Sequence, residues 1–343
     1  MKYFHSIRSC CGLLLGLCFL VSCLNKESID VSDIDVDLKF KRFEKDLFAL
    51  SPENYKTEID SLKKKYPVLF PFYFGEIGGW NFLQDSSDAM KDSIWNYVNS
   101  PYSQALYDSA MLRFADLSDF TNQLHQAFRR YKYYFPDAAL PKVNTLINGP
   151  SAFTIGDDLL CVSLDKYFGP SSAFYQYEAE PIPQYMLSRF KPNYMTSNCI
   201  EVVATNNLDP NSSSKRLLDV MIYKGKILYF KKKLLPLTPD SVISGFASKD
   251  LIWCADNEPE IWKFFIEHKL LYSIDPLEYG KYINEGPSTS GMPPEAPGNI
   301  GSWVGWRIVS RYMEKNADVS LQELMADSDS QKILSSSKYK PGR

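Results

Sequence analysis

The sequence predicts an α+β fold, mostly helical, forming a single domain with a small sheet of about three short strands. Three observations lead there. Apolar residues recur every three or four positions before Phe135 and again after Pro183. Between Lys142 and Phe168 the apolar period drops to two. No segment repeats, and 343 residues at 45% hydrophobic and 14% aromatic supply material for a large core.

Taken in order, residues 1–22 read as a secretory signal. Lys2 and Arg8 precede an apolar run from Gly12 to Val21, too short for a bilayer span of roughly 20 apolar residues. Leu20-Val21-Ser22-Cys23 resembles the bacterial lipobox, in which the cysteine is acylated and becomes the mature N-terminus. Cys23 is then the lipid attachment site, and the other reading is an ordinary secretory signal with an incidental cysteine. Several acyl chains on one residue anchor stably where a single chain does not, so the expected protein sits on a membrane without crossing it. By the same resemblance, Leu24 rather than Asp after the cysteine implies delivery to the outer membrane, with the periplasmic or exterior face left open. Without Lys2 and Arg8, 36 basic side chains face 41 acidic ones, and no basic block predicts a nucleic-acid partner.

Cys10, Cys11, Cys18 and Cys23 fall to the signal and lipobox. Cys161, Cys199 and Cys254 remain, enough for at most one bridge, and each is expected to act as a small buried apolar residue. Residues 23–37 read as an acidic tether leading into a first strand or extended segment, 38–330 as the α+β domain, and 331–343 as a polar tail. Phe120, Leu124, Ala127, Phe128, Tyr131 and Phe135 place one apolar stripe on a long helix. Val143, Thr145 and Ile147, then Phe153 and Ile155, then Leu160, Val162 and Leu164 give three strands, joined by turns at Asn148-Gly149 and Gly156-Asp157. Helical spacing returns after Pro183. It is interrupted by coil rich in proline and glycine from Pro276 to Gly298, after which a last helix runs from about Asn299 to Lys315.

Few patterns carry chemistry. In PGNIGSWVGW (297–306) the glycines fit neither nucleotide-binding spacing. Asn299 is a favoured N-cap, Ile300, Trp303, Val304, Ile308, Tyr312 and Met313 form an apolar helical face, and Gly301 and Gly305 leave a smooth patch for close approach of another element. Past the signal only His125 and His268 occur, and neither sits in an H-E-x-x-H or H-x-x-E-H frame. Ser163-Leu-Asp-Lys166 and Ser212-Ser-Ser-Lys215 fit S-x-x-K without a K-T-G partner, and G-x-S-x-G is absent. The tyrosine clusters 131–134 and 175–185 suit core packing at a solvent edge, or an aromatic groove for peptide or glycan.

With the lipobox, NEGPSTSGMPPEAPGNIGSWVGWRIVSRYM (284–313), MIYKGKILYF (221–230) and WCADNEPEIWKFFIEHKLLYS (253–273) make the chain similar to the gliding motility lipoprotein GldB family of Bacteroidetes. The resemblance spans most of the mature chain. It implies a lipoprotein linked to surface gliding and the type IX secretion apparatus, although the family also occurs in organisms that do not glide. That family in turn resembles predicted zinc peptidases, which implies a degenerate zincin-like scaffold. Setting H-E-x-x-H on Ile200-Glu201-Val202-Val203-Ala204 and the downstream E-G-x-A on Lys224-Gly225-Lys226-Ile227 keeps the glutamate base as Glu201. It replaces the three ligands by Ile200, Ala204 and Lys224, none of which suits a divalent cation. Without zinc to acidify a water, Glu201 has nothing to activate.

The expectation is therefore a non-catalytic, outer-membrane-anchored accessory protein that needs no cofactor or metal. It would recognise envelope proteins, among them gliding or type IX secretion components, with the 142–164 strands able to take an extended peptide by strand addition. Two alternatives compete: a divergent peptidase or hydrolase using carboxylates such as Glu201 and Asp219, and a glycan-binding surface lipoprotein.

Overall fold

The computed structural model describes residues 29–81, 87–177, 180–208 and 215–342. Cys23 and the signal segment lie outside the described residues, as do Ser212 to Ser214. The fold is α+β and mostly helical, as the apolar periods predict.

The sheet has four strands rather than three: β1 (Phe40–Arg42), β2 (Lys142–Leu146), β3 (Ala152–Ile155) and β4 (Leu159–Ser163). Their order is β1-β2-β4-β3, with β2 parallel to both β1 and β4, and β3 antiparallel to β4. The expected turn at Gly156-Asp157 does close a hairpin, since Ile155 pairs with Leu159 and Gly156 takes φ +60°. Asn148-Gly149 does not. β2 and β3 flank β4 instead of pairing, and β2 runs parallel to β4, a neighbour that no two-residue turn could supply. Gly149 is needed for another reason: a Cβ there would lie 2.8 Å from Ser163 Oγ and 2.9 Å from Leu146 Cδ1.

Burial on both faces explains the misread connection. All five residues of β4 and four of the five in β2 are buried, the signature of a central parallel pair. Leu160 and Val162 face the main core, while Leu159 and Cys161 face a smaller aromatic core. In that smaller core Phe43 meets Tyr66, Phe70 and Tyr73 edge-on, with centroids 5.0, 6.3 and 5.1 Å away. Each such ring contributes roughly 1.5–3 kcal/mol by leaving water. The end of the expected tether is also engaged, since Val31, Val36 and Leu38 are buried.

On the main-core side the Ser118–Tyr134 helix buries the predicted stripe of Phe120, Leu124, Ala127, Phe128 and Tyr131, and ends before Pro136. The Met195–Asn206 helix passes beside β3, and the Leu217–Leu234 helix runs through the centre. Against the latter lies the Ile300–Lys315 helix, which confirms the packing role expected of the glycines. A Cβ on Gly305 would sit 1.8 Å from the Met221 carbonyl oxygen, and one on Gly225 would sit 2.3 Å from Gly305 C and O. The helices cross backbone to backbone. Gly298 is equally constrained, with Gly286 O 2.3 Å from any added Cβ.

The Ile300–Lys315 helix is not the last. Leu321–Ala326 and Ser330–Ser337 follow, so the segment expected as a polar tail forms part of the body. Ile333 is fully buried, and Tyr339 donates to Glu258 Oε1 at 2.8 Å. One apolar residue per turn among serines and lysines gave too faint a period to read. Cys161, Cys199 and Cys254 are buried free thiols, and burial pushes Cys161 and Cys254 up to about 12. Among the described residues no helix is long and apolar enough to cross a membrane.

Candidate functional site

A recess of about 430 Å³ opens beside edge strand β3, between the Met195–Asn206 and Leu217–Leu234 helices. Asn198, Glu201 and Val202 reach it from the first helix. Tyr223, Lys224, Ile227, Leu228 and Lys231 reach it from the second, and Ser151 and Ala152 from the strand edge. These spacings of three, four and seven each put side chains on one helical face.

The recess is lined with ions held in fixed partnerships. Lys231 Nζ lies 2.6 Å from Glu201 Oε2, with the lysine side chain 3% exposed and the glutamate 53%. Arg189 Nη2 lies 2.8 Å from Glu285 Oε2, and Glu285 Oε1 accepts from Asn299 Nδ2 at 3.0 Å. Asn299 takes φ +61° ahead of the Ile300–Lys315 helix but makes no side-chain cap. Its Oδ1 instead accepts from Ser302 Oγ and, at 3.3 Å, from Lys224 Nζ. Lys224 Nζ also donates to the Ile283 carbonyl at 2.6 Å.

The electrostatics follow from depth. Surrounding protein would raise the Glu201 carboxyl, but the Lys231 ammonium, with smaller help from Arg189 and Lys224, holds it below the usual glutamate range. Burial pulls the Lys224 ammonium down, and Glu285 and Glu201 offset part of that. Further bonds brace the helix against the sheet. Asn198 Nδ2 donates to Tyr167 OH at 3.0 Å, Tyr167 OH to Ser151 O at 3.2 Å, and Asn206 Nδ2 to Thr154 Oγ1 at 3.2 Å.

β3 leaves one edge unpaired. Ser163 N donates to Ser151 O at 3.2 Å, and the antiparallel alternation then makes 153/161 and 155/159 the hydrogen-bonded pairs. The N–H and C=O groups of Ala152 and Thr154 point outward, with no hydrogen-bond partner among the described residues.

Of the four positions set by the peptidase-like register, Glu201 and Lys224 meet in this recess and Ile200 and Ala204 do not. Both of the latter are fully buried in the main core, a helical step away from the face carrying Asn198, Glu201 and Val202. A divalent cation does not fit here. The facing groups are an ammonium and a carboxylate already bound to another ammonium, and no three His, Cys, Asp or Glu side chains converge among the described residues. Asp219 is elsewhere, buried and paired with Arg216 at 2.7 Å at the start of its helix, so the two carboxylates considered for hydrolysis are not brought together. His268 closes a helix end near the Phe264 carbonyl, and His125 lies on the Ser118–Tyr134 helix; neither lines the recess. Ser163 is buried beneath Gly149. Tyr131 and Tyr175 are core residues while Tyr133 and Tyr177 are exposed.

Arg189, Lys231 and Glu285 escaped the sequence reading, and Asn299 was read there only as a helix cap. Lys231 carried a usable signal, since it lies two turns after Lys224 on the same helical face.

Compared with known proteins, residues 24–341 match the family described as gliding motility protein GldB. No curated protein and no solved structure matches the chain.

Proposed function

The chain belongs to the gliding motility protein GldB family, and from that premise we propose that it is a non-catalytic accessory lipoprotein, tethered to the outer membrane through Cys23, whose recess and adjoining β3 edge receive an extended segment of an envelope protein. The observation that carries this reading is the unpaired edge at Ala152 and Thr154, opening onto a walled recess. An extended chain laid there gains main-chain hydrogen bonds from the strand and a side-chain pocket from the recess. Components of the gliding or type IX secretion apparatus are the partners that family membership favours.

Hydrolysis finds less support. Glu201 is neutralised by Lys231 at 2.6 Å, Asp219 lies outside the recess, and among the described residues no three His, Cys, Asp or Glu side chains converge to hold a metal that would activate a water. Glycan binding would ask for neighbouring exposed rings. Tyr177 and Tyr102 form one exposed pair at 5.7 Å, but neither lines the recess, and Tyr131 and Tyr175 are committed to the core.

The test is a photo-crosslinking residue at Thr154 in the lipidated chain in living cells, with Leu112, an exposed residue away from the sheet, as control. A discrete envelope protein crosslinked from position 154 and not from 112 is the expected result. Equal labelling from both positions, or stoichiometric zinc in the purified chain together with peptide cleavage, would overturn the proposal.

A further inference from the structure

Resting on the peptide-receiving reading above, we infer that the recess selects a carboxylate on the bound segment, supplied by its C-terminus or by an acidic side chain. The first ground is charge. Arg189, Lys224 and Lys231 line the recess against Glu201 and Glu285, three cations to two carboxylates, within a chain whose formal net charge is −3. Among the described residues the local surplus is one positive charge in an acidic protein.

The surplus can be assigned to one side chain. Lys231 is matched by Glu201 and Arg189 by Glu285. Lys224 has no carboxylate within ion-pair distance among the described residues and donates only to two neutral oxygens, Ile283 O and Asn299 Oδ1. An ammonium has three protons to donate, so one remains. Arg189 also keeps donors in hand: among the described residues only Nη2 has an acceptor, and Nε is buried without one. A partly buried cation with neutral partners carries an uncompensated desolvation cost, which an arriving anion removes. The depressed Lys224 ammonium reports the same cost.

The stoichiometry argues for a carboxylate over a phosphate. One negative charge closes the balance of three against two, whereas a phosphorylated side chain brings about −1.5 to −2 and would leave the recess negative. Position argues for a peptide carrier. Ser151 and Ala152 belong both to the recess wall and to the start of the unpaired strand edge, so a segment paired along β3 delivers one of its own groups to Lys224.

The experiment uses the lipidated chain, solubilised in detergent and immobilised, with three fluorescent pools of random N-acetylated hexapeptides. One has a free C-terminus and no Asp or Glu, one is amidated with Asp and Glu allowed, and one is amidated with neither. Retention of either carboxylate pool at least tenfold above the third is expected, and which of the two is retained identifies the source. Lys224→Met should abolish that preference. Arg189→Gln should weaken it several-fold, and thermal melts confirm that each variant folds. Equal retention of all three pools overturns the carboxylate inference and leaves the strand-edge reading standing. Stronger displacement by inorganic phosphate than by acetate also overturns it. No retention of any pool removes the peptide-receiving reading and the inference with it.

Discussion

The Leu217–Leu234 helix presents two unlike faces. On one, Gly225 meets Gly305 of the Ile300–Lys315 helix with no room for a single methyl group. On the other, Lys224 and Lys231 project into an open recess lined by further charged side chains. The first face tolerates one solution and the second tolerates many. Residue choice is therefore dictated by geometry at the crossing and by binding at the recess.

The largest expected effect breaks the close-packed face. Gly305→Ala places a Cβ 1.8 Å from Met221 O and 2.5 Å from Met221 C, both backbone atoms with no freedom to move alone. Alanine improves helix propensity by about 1 kcal/mol, yet the overlap should exceed the usual overpacking cost of about 1–3 kcal/mol. Urea unfolding should show a clear fall in midpoint or no folded protein at all. A variant as stable as the parent would mean the helices do not cross here.

Next comes Ile333→Ala, in the segment that reads as a tail. Ile333 is fully exposed to the core and not to water, on a helix packed against Ile300–Lys315. The loss should be about 2–5 kcal/mol, the range for truncating a buried aliphatic side chain to alanine. A change under about 0.5 kcal/mol would restore the view of 331–343 as a loose extension.

How far the sequence could be read follows the same division. Gly301 and Gly305 were legible because close approach of backbones admits almost no other residue. The Ser118–Tyr134 stripe was legible because a single buried face imposes its period. The β2–β4 connection was not: strands buried on both faces lose the alternation that reveals which neighbour they pair with. The recess was half legible, with Glu201 and Lys224 identified, but their placement depended on a helical register that puts Ile200 and Ala204 into the core. Arg189 and Glu285 are 96 residues apart in sequence, and nothing local in either announces the other.

On the recess face the two members of one ion pair should differ. Glu201→Gln strands the Lys231 ammonium, which is 3% exposed, whereas Lys231→Met strands a carboxylate that still has half its side chain in water. Removing one partner of a fully buried pair costs about 3–5 kcal/mol. With Glu201 half-exposed, about 1–2 kcal/mol is expected for Glu201→Gln and less for Lys231→Met. Chemical denaturation of both variants at neutral pH decides it, and the reverse order would mean that Lys231 has a second means of compensation.

The smallest effect is the pH dependence of that pair. Glu201 has a folded value depressed below the ordinary glutamate value, burial opposing and Lys231 prevailing. A depressed acid stabilises the folded state above its unfolded value and loses that contribution as pH falls through the folded one. Protein with the intact pair should therefore lose stability relative to Lys231→Met on acidification from neutral pH to below the ordinary glutamate range. Exposure of Glu201 limits the difference to about 1 kcal/mol or less. The signature is in the slope: the two stability curves should converge toward acid, because protonating Glu201 removes the attraction that only the intact pair has and leaves the Lys231 ammonium unmatched. Curves that stay parallel throughout would show that Lys231 is held by its burial site rather than by its partner.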